Sequence, residues 1–138
     1  MTSAFDRSVL RILVVDDSED DRAEIRSLLL RGSDHRYVFE EAETGAAAVR
    51  AVSGAAGAPP DCVILDYHLP DADAPGVLAE LASGGHVACP VIVLTGIAPR
   101  DAGREVLRAG AQDFVGKGSL TPETLTRAVE NAIERFAL

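Results

Sequence analysis

Residues 12–17 read ILVVDD, a run of four aliphatic residues followed by two aspartates. Because the aliphatic residues do not alternate with polar ones, the run predicts a strand that is covered on both faces, as in a parallel sheet between helices. Two similar runs follow along the chain, VILD at residues 63–66 and VIVLT at residues 91–95. The sequence therefore predicts several buried parallel strands, each of which ends in a polar residue.

Helical signals separate these strands. Ser18 is a candidate N-cap for a helix that begins at Glu19, Asp21 stands in the capping-box position, and Gly32 marks the end of the helix. We interpret the acids at residues 19–21 as solvated charges that interact favourably with the dipole of this helix. The other predicted elements are strands at 37–42 and 111–116 and helices at 45–52, near 76–82, near 101–109 and from Thr121 and Pro122 to the C-terminus. This alternation predicts an α/β fold: a doubly wound parallel sheet built from five βα units with right-handed crossovers.

The size and composition of the chain limit what it can be. Its 138 residues suffice for one domain, 1–138 with a core at about 9–137, and we expect no output domain. The net charge of −9 disfavours direct binding to nucleic acid.

No apolar run is long enough to span a membrane and no signal peptide is recognised, so we expect a cytoplasmic protein. Cys62 and Cys89 lie beside apolar runs and are predicted to be buried, reduced thiols. The loop at 53–60 is expected to tolerate insertions.

Five polar residues end the predicted strands: Asp16, Asp17, Asp66, Thr95 and Lys117. The carboxyl ends of parallel strands meet at one edge of a sheet, and ligands bind there. Three carboxylates at one edge repel one another unless a cation neutralises them, and an all-oxygen donor set favours Mg²⁺ or Mn²⁺ over Zn²⁺. Mg²⁺ held by few carboxylates commonly also binds a phosphoryl oxygen. The residues therefore predict phosphoryl transfer, with Asp66 as nucleophile and with Lys117 and Thr95 binding phosphoryl oxygens.

Four segments in this order resemble the receiver domain of two-component response regulators, the CheY-like superfamily. They are ILVVDD at 12–17, VILDYHLP at 63–70, VIVLTG at 91–96 and AGAQDFVGK at 109–117. The resemblance implies a flavodoxin-like fold with strand order 2-1-3-4-5. It also implies the following roles: Asp66 as phosphoacceptor, Asp16 and Asp17 as the acidic pair for Mg²⁺, the backbone carbonyl of His68 as a further ligand, Thr95 as the switch hydroxyl, Lys117 as the phosphate-binding lysine and Phe114 as the switch aromatic.

The resemblance further implies how such a protein signals. A sensor histidine kinase or a histidine phosphotransfer protein donates the phosphoryl group, and the receiver catalyses its own phosphorylation and its later hydrolysis. The resemblance thus implies a self-phosphorylating signalling domain, not an enzyme, and we expect no external multiple-turnover substrate. Phosphorylation changes the surface of the fourth helix, fifth strand and fifth helix, and we expect output through contact with a downstream protein, either as a monomer or as a phosphorylation-linked homodimer.

Three positions depart from the family pattern. Gly118 follows Lys117 where the family usually has a proline, which predicts a looser loop. Ala74 stands where glycine is usual and precedes Pro75, which predicts a remodelled entry to the third helix. His68 is expected either to overhang the site and alter the hydrolysis of the phosphorylated aspartate or to be exposed without a role. His35 and His86 are assigned no role.

Two alternative functions stay open. The first is a pseudo-receiver, an interaction module with this fold that is not phosphorylated. The second is a Mg²⁺-dependent phosphohydrolase with an aspartyl nucleophile, similar to haloacid dehalogenases. Such enzymes usually carry a second aspartate two residues after the nucleophile, where this chain has His68.

Overall fold

The computed structural model describes residues 9–54, 58–83 and 85–138 and shows three layers, with helices on both faces of a parallel sheet. Its five strands lie in the order β2-β1-β3-β4-β5, as the resemblance implies. The strands are β1 (Leu10–Val15), β2 (Tyr37–Ala42), β3 (Cys62–Asp66), β4 (Val91–Thr95) and β5 (Asp113–Gly116). The helices are α1 (Glu19–Gly32), α2 (Gly45–Ser53), α3 (Ala74–Leu81), α4 (Ala102–Arg108) and α5 (Pro122–Ala137). The predicted α/β class and topology are therefore confirmed.

The aliphatic runs are buried on both faces, as the lack of alternation predicted. In β1, Leu13 and Val15 face a core shared with α2, α3 and α4, while Ile12 and Val14 face a core shared with α1 and α5. All four are at most 1% exposed. Continuous apolar residues are needed in the central strands because neither face of these strands meets water. The sheet is thus a rigid platform that fixes the positions of the residues at its carboxyl edge.

The bounds of two elements differ clearly from the predicted ones. Helix α3 begins at Ala74, two residues before the predicted start, because Pro75 fits the first turn of a helix, where its missing N–H is not needed. Strand β5 begins at Asp113 rather than Ala111, and Gln112 still donates to the carbonyl of Val91. Within the loop at 53–60, residues 55–57 lie outside the described part of the chain, as do residues 1–8.

The caps of α1 and α5 show which capping signals hold. At α5, Thr121 Oγ1 accepts from the N–H of Thr124 at 3.0 Å, and the Thr124 hydroxyl accepts from the N–H of Thr121. At α1, Ser18 Oγ accepts from the N–H of Asp21 at 3.2 Å. The predicted capping box at α1 is wrong, however, because the N–H of Ser18 donates to Asp16 and not to Asp21.

Cys62 and Cys89 are free and buried, as predicted. They belong to the cores on opposite faces of the sheet. Burial raises the pKa of the Cys89 thiol to about 11 and also raises that of Cys62, so both stay protonated at neutral pH. Over the described residues, no helix combines the length and apolar character that crossing a bilayer requires.

Helix α1 packs closely against the start of α5 at Gly32. A Cβ atom at this position would collide with the backbone oxygen of Pro122 and with the hydroxyl of Thr126. Both groups lie on the first turns of α5, so neither can give way like the end of a flexible side chain. The absence of a side chain at Gly32 therefore sets the distance between the two helices.

We predict that Gly32→Ala lowers the free energy of unfolding by about 1–3 kcal/mol, because overpacking outweighs the higher helix propensity of alanine. Urea denaturation measures this. The matched control is Gly76→Ala in α3, where the nearest atom to an added Cβ is 3.9 Å away, and there we expect a gain of about 0.5–1 kcal/mol. Equal effects of the two substitutions would contradict the packing account.

Candidate functional site

The predicted acidic residues come together at the carboxyl edge of the sheet. Asp16 and Asp17 directly follow β1, and Asp66 is the last residue of the neighbouring strand β3. One carboxylate oxygen from each of the three lies within 4.8 Å of the others. Asp16 is buried, Asp66 is half-buried and Asp17 is exposed, so the cluster opens to solvent on one side.

Lys117 is the only lysine in the chain, and its ammonium lies within this cluster. It directly follows β5 and begins a 3₁₀ turn at residues 117–119. Its Nζ donates to Asp16 Oδ2 at 3.0 Å and lies 3.3 Å from Asp66 Oδ1. The edge therefore holds three carboxylates and one ammonium, as the strand ends predicted.

Asp21 is a fourth acid at the site that the sequence interpretation missed. It is a partly exposed charge in the first turn of α1, as predicted, but its Oδ2 also accepts from Lys117 Nζ at 2.9 Å, a contact that the prediction did not include. The signal was present in the helical pattern: Asp21 lies four residues before the buried Ile25 and therefore on the inner side of α1.

Arg22 fixes the turn between β1 and α1. Its guanidinium is buried and donates to the carbonyl of Asp16 at 2.7 Å and to Glu41 at 2.7 Å. Asp16 Oδ1 accepts from the N–H of Ser18 at 2.9 Å. With backbone and carboxylate both held, Asp16 has one defined orientation and its second oxygen faces Lys117. The sequence interpretation also missed Arg22, which lies three residues before Ile25.

The charges at the site act on one another. Burial raises the pKa of Asp66, the neighbouring Asp16 raises it further, and Lys117 opposes both effects. Burial lowers the pKa of Lys117, but its hydrogen bonds to Asp21 and Asp16 and the charge of Asp66 outweigh burial and raise the pKa above its usual value. One ammonium thus stays charged, and it only partly neutralises the acids around it.

Thr95 is the last residue of β4 and is buried beside the site. Its hydroxyl has no hydrogen-bond partner among the described residues. A buried hydroxyl without a partner is unfavourable by about 1–3 kcal/mol. Such a group at the edge of an anion-binding cluster is suited to donate to a ligand oxygen that enters the site.

Phe114 lies on the edge strand β5, which pairs with β4. Its register partner on β4 is Val93. It therefore faces the same side of the sheet as Val93 and Thr95. Its ring contacts Gly103 of α4, where an added Cβ would lie 3.0 Å from a ring carbon, and it meets Tyr67 edge to face at 6.5 Å. The predicted switch residues thus share one layer of packing with α4.

His68 connects two loops above the sheet edge. Its Nε2 lies 2.9 Å from the carbonyl oxygen of Ile97 and its Nδ1 lies 3.1 Å from Asp73 Oδ1. The side chain is exposed, as one of the two expectations for His68 stated. Both ring nitrogens nevertheless have partners. These contacts explain why Asp73, at the N-cap of α3, makes no side-chain cap bond. The carbonyl of His68 as a metal ligand stays a prediction.

His35 lies away from this site and is also bonded. Its Nε2 is 2.9 Å from Glu130 Oε2 of α5, which links the α1–β2 connection to that helix. Sequence gave no indication of this pair because its members are 95 positions apart. The pair is a structural contact between elements on the same face of the sheet.

The donor set at the sheet edge fits a hard divalent cation. Asp16, Asp17 and Asp66 offer oxygen ligands only, close enough to share one ion, and Lys117 leaves part of their negative charge uncompensated. The hydroxyl of Thr95, which has no partner within the described part of the chain, adds a donor for an anionic oxygen. The arrangement can therefore hold a Mg²⁺-sized ion together with a phosphoryl group.

The raised pKa of Asp66 predicts a pH-dependent effect of Asp66→Asn. The ionised carboxylate is unfavourable in the folded protein, so without metal the variant should have a higher free energy of unfolding near pH 7. The gain should shrink as pH falls through the raised pKa, because wild-type Asp66 is then also neutral. Urea denaturation in a chelator at several pH values measures it, with the exposed Asp20→Asn as control. A gain that does not depend on pH would contradict the electrostatic cause.

Comparison with known proteins gives a consistent result. Residues 12–130 match the family model of the response regulator receiver domain. The chain is 40% identical over 117 residues to the transcriptional regulatory protein KdpE of Mycobacterium tuberculosis (strain H37Rv), a match that covers 84% of this chain and 48% of KdpE. It is 33% identical over 112 residues to a two-component response regulator of Oryza sativa subsp. japonica, covering 80% of this chain and 85% of that protein.

Solved structures are similar over almost the whole chain. A response regulator receiver domain protein from Clostridium thermocellum has a TM-score of 0.78 at 26% identity and covers 93% of this chain and 97% of its own. The receiver domain of the NarL regulator of Mycobacterium tuberculosis has a TM-score of 0.77 at 25% identity, with coverage of 92% and 98%. The chain spans about half the length of the KdpE proteins that it matches.

Proposed function

The chain belongs to the response regulator receiver domain family, and from this membership we propose that it accepts a phosphoryl group on Asp66 in a Mg²⁺-dependent reaction that it catalyses itself. The observation that carries the proposal is the convergence at one sheet edge of the carboxylates of Asp16, Asp17 and Asp66, within 4.8 Å of one another, with Lys117 paired to Asp16 and Asp66. Family membership alone would leave a pseudo-receiver equally supported.

The proposed step is a displacement at phosphorus. An oxygen of Asp66 attacks the phosphoryl group of a phosphohistidine donor, an O–P bond forms, and the P–N bond breaks with its electron pair on the leaving imidazole nitrogen. The chemistry that Mg²⁺ supplies when bound by Asp16, Asp17 and Asp66 is neutralisation of charge on the phosphoryl oxygens. Later hydrolysis, in which water attacks phosphorus, returns Asp66 to a carboxylate and releases phosphate.

Lys117 and Thr95 are proposed to bind the transferred group. Lys117 Nζ is 3.3 Å from Asp66 Oδ1, so its charge already lies beside the carboxylate that would carry the phosphoryl group. Thr95 would gain its missing hydrogen-bond partner from a phosphoryl oxygen. The contacts from Lys117 and Thr95 to phosphoryl oxygens form only when the phosphoryl group is bound. They therefore stabilise the phosphorylated state selectively.

The output is proposed to follow from movement of Thr95 and Phe114. Both side chains face the layer of α4, and Phe114 packs directly on Gly103 of that helix. A hydroxyl drawn toward the phosphoryl group leaves space into which the ring can turn, which changes the surface of α4, β5 and α5. A downstream protein would recognise this surface, and a histidine kinase or phosphotransfer protein would act as donor in the cytoplasm.

The proposed function predicts a single phosphoryl adduct when the protein is incubated with acetyl phosphate and Mg²⁺. In that reaction an O–P bond to Asp66 forms and acetate leaves. Intact-mass spectrometry measures the adduct, which should be absent in Asp66→Asn and in the presence of a chelator. Thr95→Val should lower the adduct yield while keeping or raising the free energy of unfolding by about 1 kcal/mol, because it removes a buried hydroxyl without a partner.

Three outcomes would contradict the proposal in different ways. An adduct that persists in Asp66→Asn would place the modification on another residue. No adduct, together with no stabilisation by beryllofluoride and Mg²⁺, would support the pseudo-receiver. Multiple turnover on small phosphate esters would instead support the phosphohydrolase.

A further inference from the structure

The ammonium of Lys117 has three protons and three carboxylate partners. The distances from Nζ are 2.9 Å to Asp21, 3.0 Å to Asp16 and 3.3 Å to Asp66. The shortest contact is to Asp21, which is the only one of the three outside the cluster of Asp16, Asp17 and Asp66 that can hold a cation. Asp21 therefore contacts the lysine without belonging to the candidate cation site, whereas Asp16 and Asp66 do both.

We propose that Asp21 is a positioning residue that holds Lys117 in the unphosphorylated protein and competes with the phosphoryl group for its ammonium. This inference rests on the proposed phosphorylation of Asp66. It assigns a resting-state contact to the first turn of α1 and makes that contact a determinant of how readily the phosphorylated state forms.

The competition follows from the number of protons on the ammonium. A phosphoryl group on Asp66 brings new anionic oxygens within reach of Lys117, while the proton donated to Asp21 is not available to them. Asp21 also places a negative charge 2.9 Å from the ammonium that would pair with the incoming phosphoryl group. Both effects have the same sign, so removal of the Asp21 charge should favour the phosphorylated state.

The surroundings of Lys117 allow its side chain to change partners. Gly118 follows it, and an added Cβ there would meet no atom within 4 Å. An open groove of about 370 Å³ lies between α1 and this turn and is lined by Asp21, Glu24 and Lys117 among others. The ammonium thus has space to move between Asp21 and the cluster, and the ion pair with Asp21 is one of the contacts that fix its position.

The size of the effect follows from exposure. The side chain of Asp21 is 47% exposed, and ion pairs at such positions change an equilibrium by about two- to fivefold. We expect Asp21→Asn to bind beryllofluoride, in the presence of Mg²⁺, about two- to fivefold more tightly than the wild type. Isothermal titration calorimetry measures this affinity. Beryllofluoride is the probe because it is not hydrolysed, so the measurement is an equilibrium one.

Two control variants separate the ion pair from a general loss of charge. Asp20→Asn removes a carboxylate from the same turn of α1, and Glu24→Gln removes one from the same groove. Neither residue contacts Lys117 among the described contacts, so both variants should bind beryllofluoride with nearly wild-type affinity. An affinity of Asp21→Asn that equals that of these controls, or is weaker than wild type, would overturn the role of Asp21.

A second readout needs neither metal nor phosphorylation. Because Lys117 is the only lysine, selective ¹⁵Nζ-lysine labelling gives one ammonium signal in NMR spectra of the metal-free protein. Asp21→Asn should shift this signal and the controls should not; an unchanged signal would overturn the contact itself. If wild type forms no adduct with acetyl phosphate and binds no beryllofluoride, the proposed function fails, and this outcome differs from a failure of Asp21→Asn alone.

Discussion

Repulsion among the carboxylates of Asp16, Asp17 and Asp66 is the constraint on which the rest of the site depends. The parallel sheet brings their oxygens within 4.8 Å of one another, and the protein supplies a single ammonium, Lys117, to offset them. Burial keeps Asp66 at a raised pKa in spite of that ammonium. Near neutral pH the fold therefore maintains an excess of negative charge at its carboxyl edge, which a bound cation offsets, and this excess couples cation binding to the chemistry of Asp66.

The fold could be predicted from the sequence because the decisive residues are local. All five strands were located, and the three central ones were the clearest because runs such as residues 12–15 and 91–94 are apolar without alternation and must be covered on both faces. The start of α3 was placed two residues late, although Asp73 is a common N-cap residue type and Pro75 is typical of a first turn. The carboxylate of Asp73 contacts His68 and makes no cap bond, a contact that residue types do not reveal.

The site could be predicted only in part, and the division has a physical reason. Asp66, Thr95 and Lys117 stand at strand ends, which a parallel sheet gathers at one edge whatever the details of packing. Asp21 was missed because its partner Lys117 is 96 positions away and the contact depends on how α1 lies against the turn after β5. One of the two partners of His68 is the backbone carbonyl of Ile97, which no residue type reveals. Contacts between residues far apart in the sequence, and contacts to backbone carbonyls, can therefore be located only from the structure.

The most direct test of the charge constraint is the free energy of unfolding as a function of Mg²⁺ concentration, measured against NaCl at equal ionic strength. A cation that binds only the folded site stabilises the protein progressively with its concentration. The wild type should gain stability with Mg²⁺ beyond the ionic-strength control, and Asp17→Asn should lose most of this gain because one ligand is gone. Identical Mg²⁺ and NaCl curves for the wild type would contradict the account, since the clustered carboxylates would then have no specific need for a divalent cation.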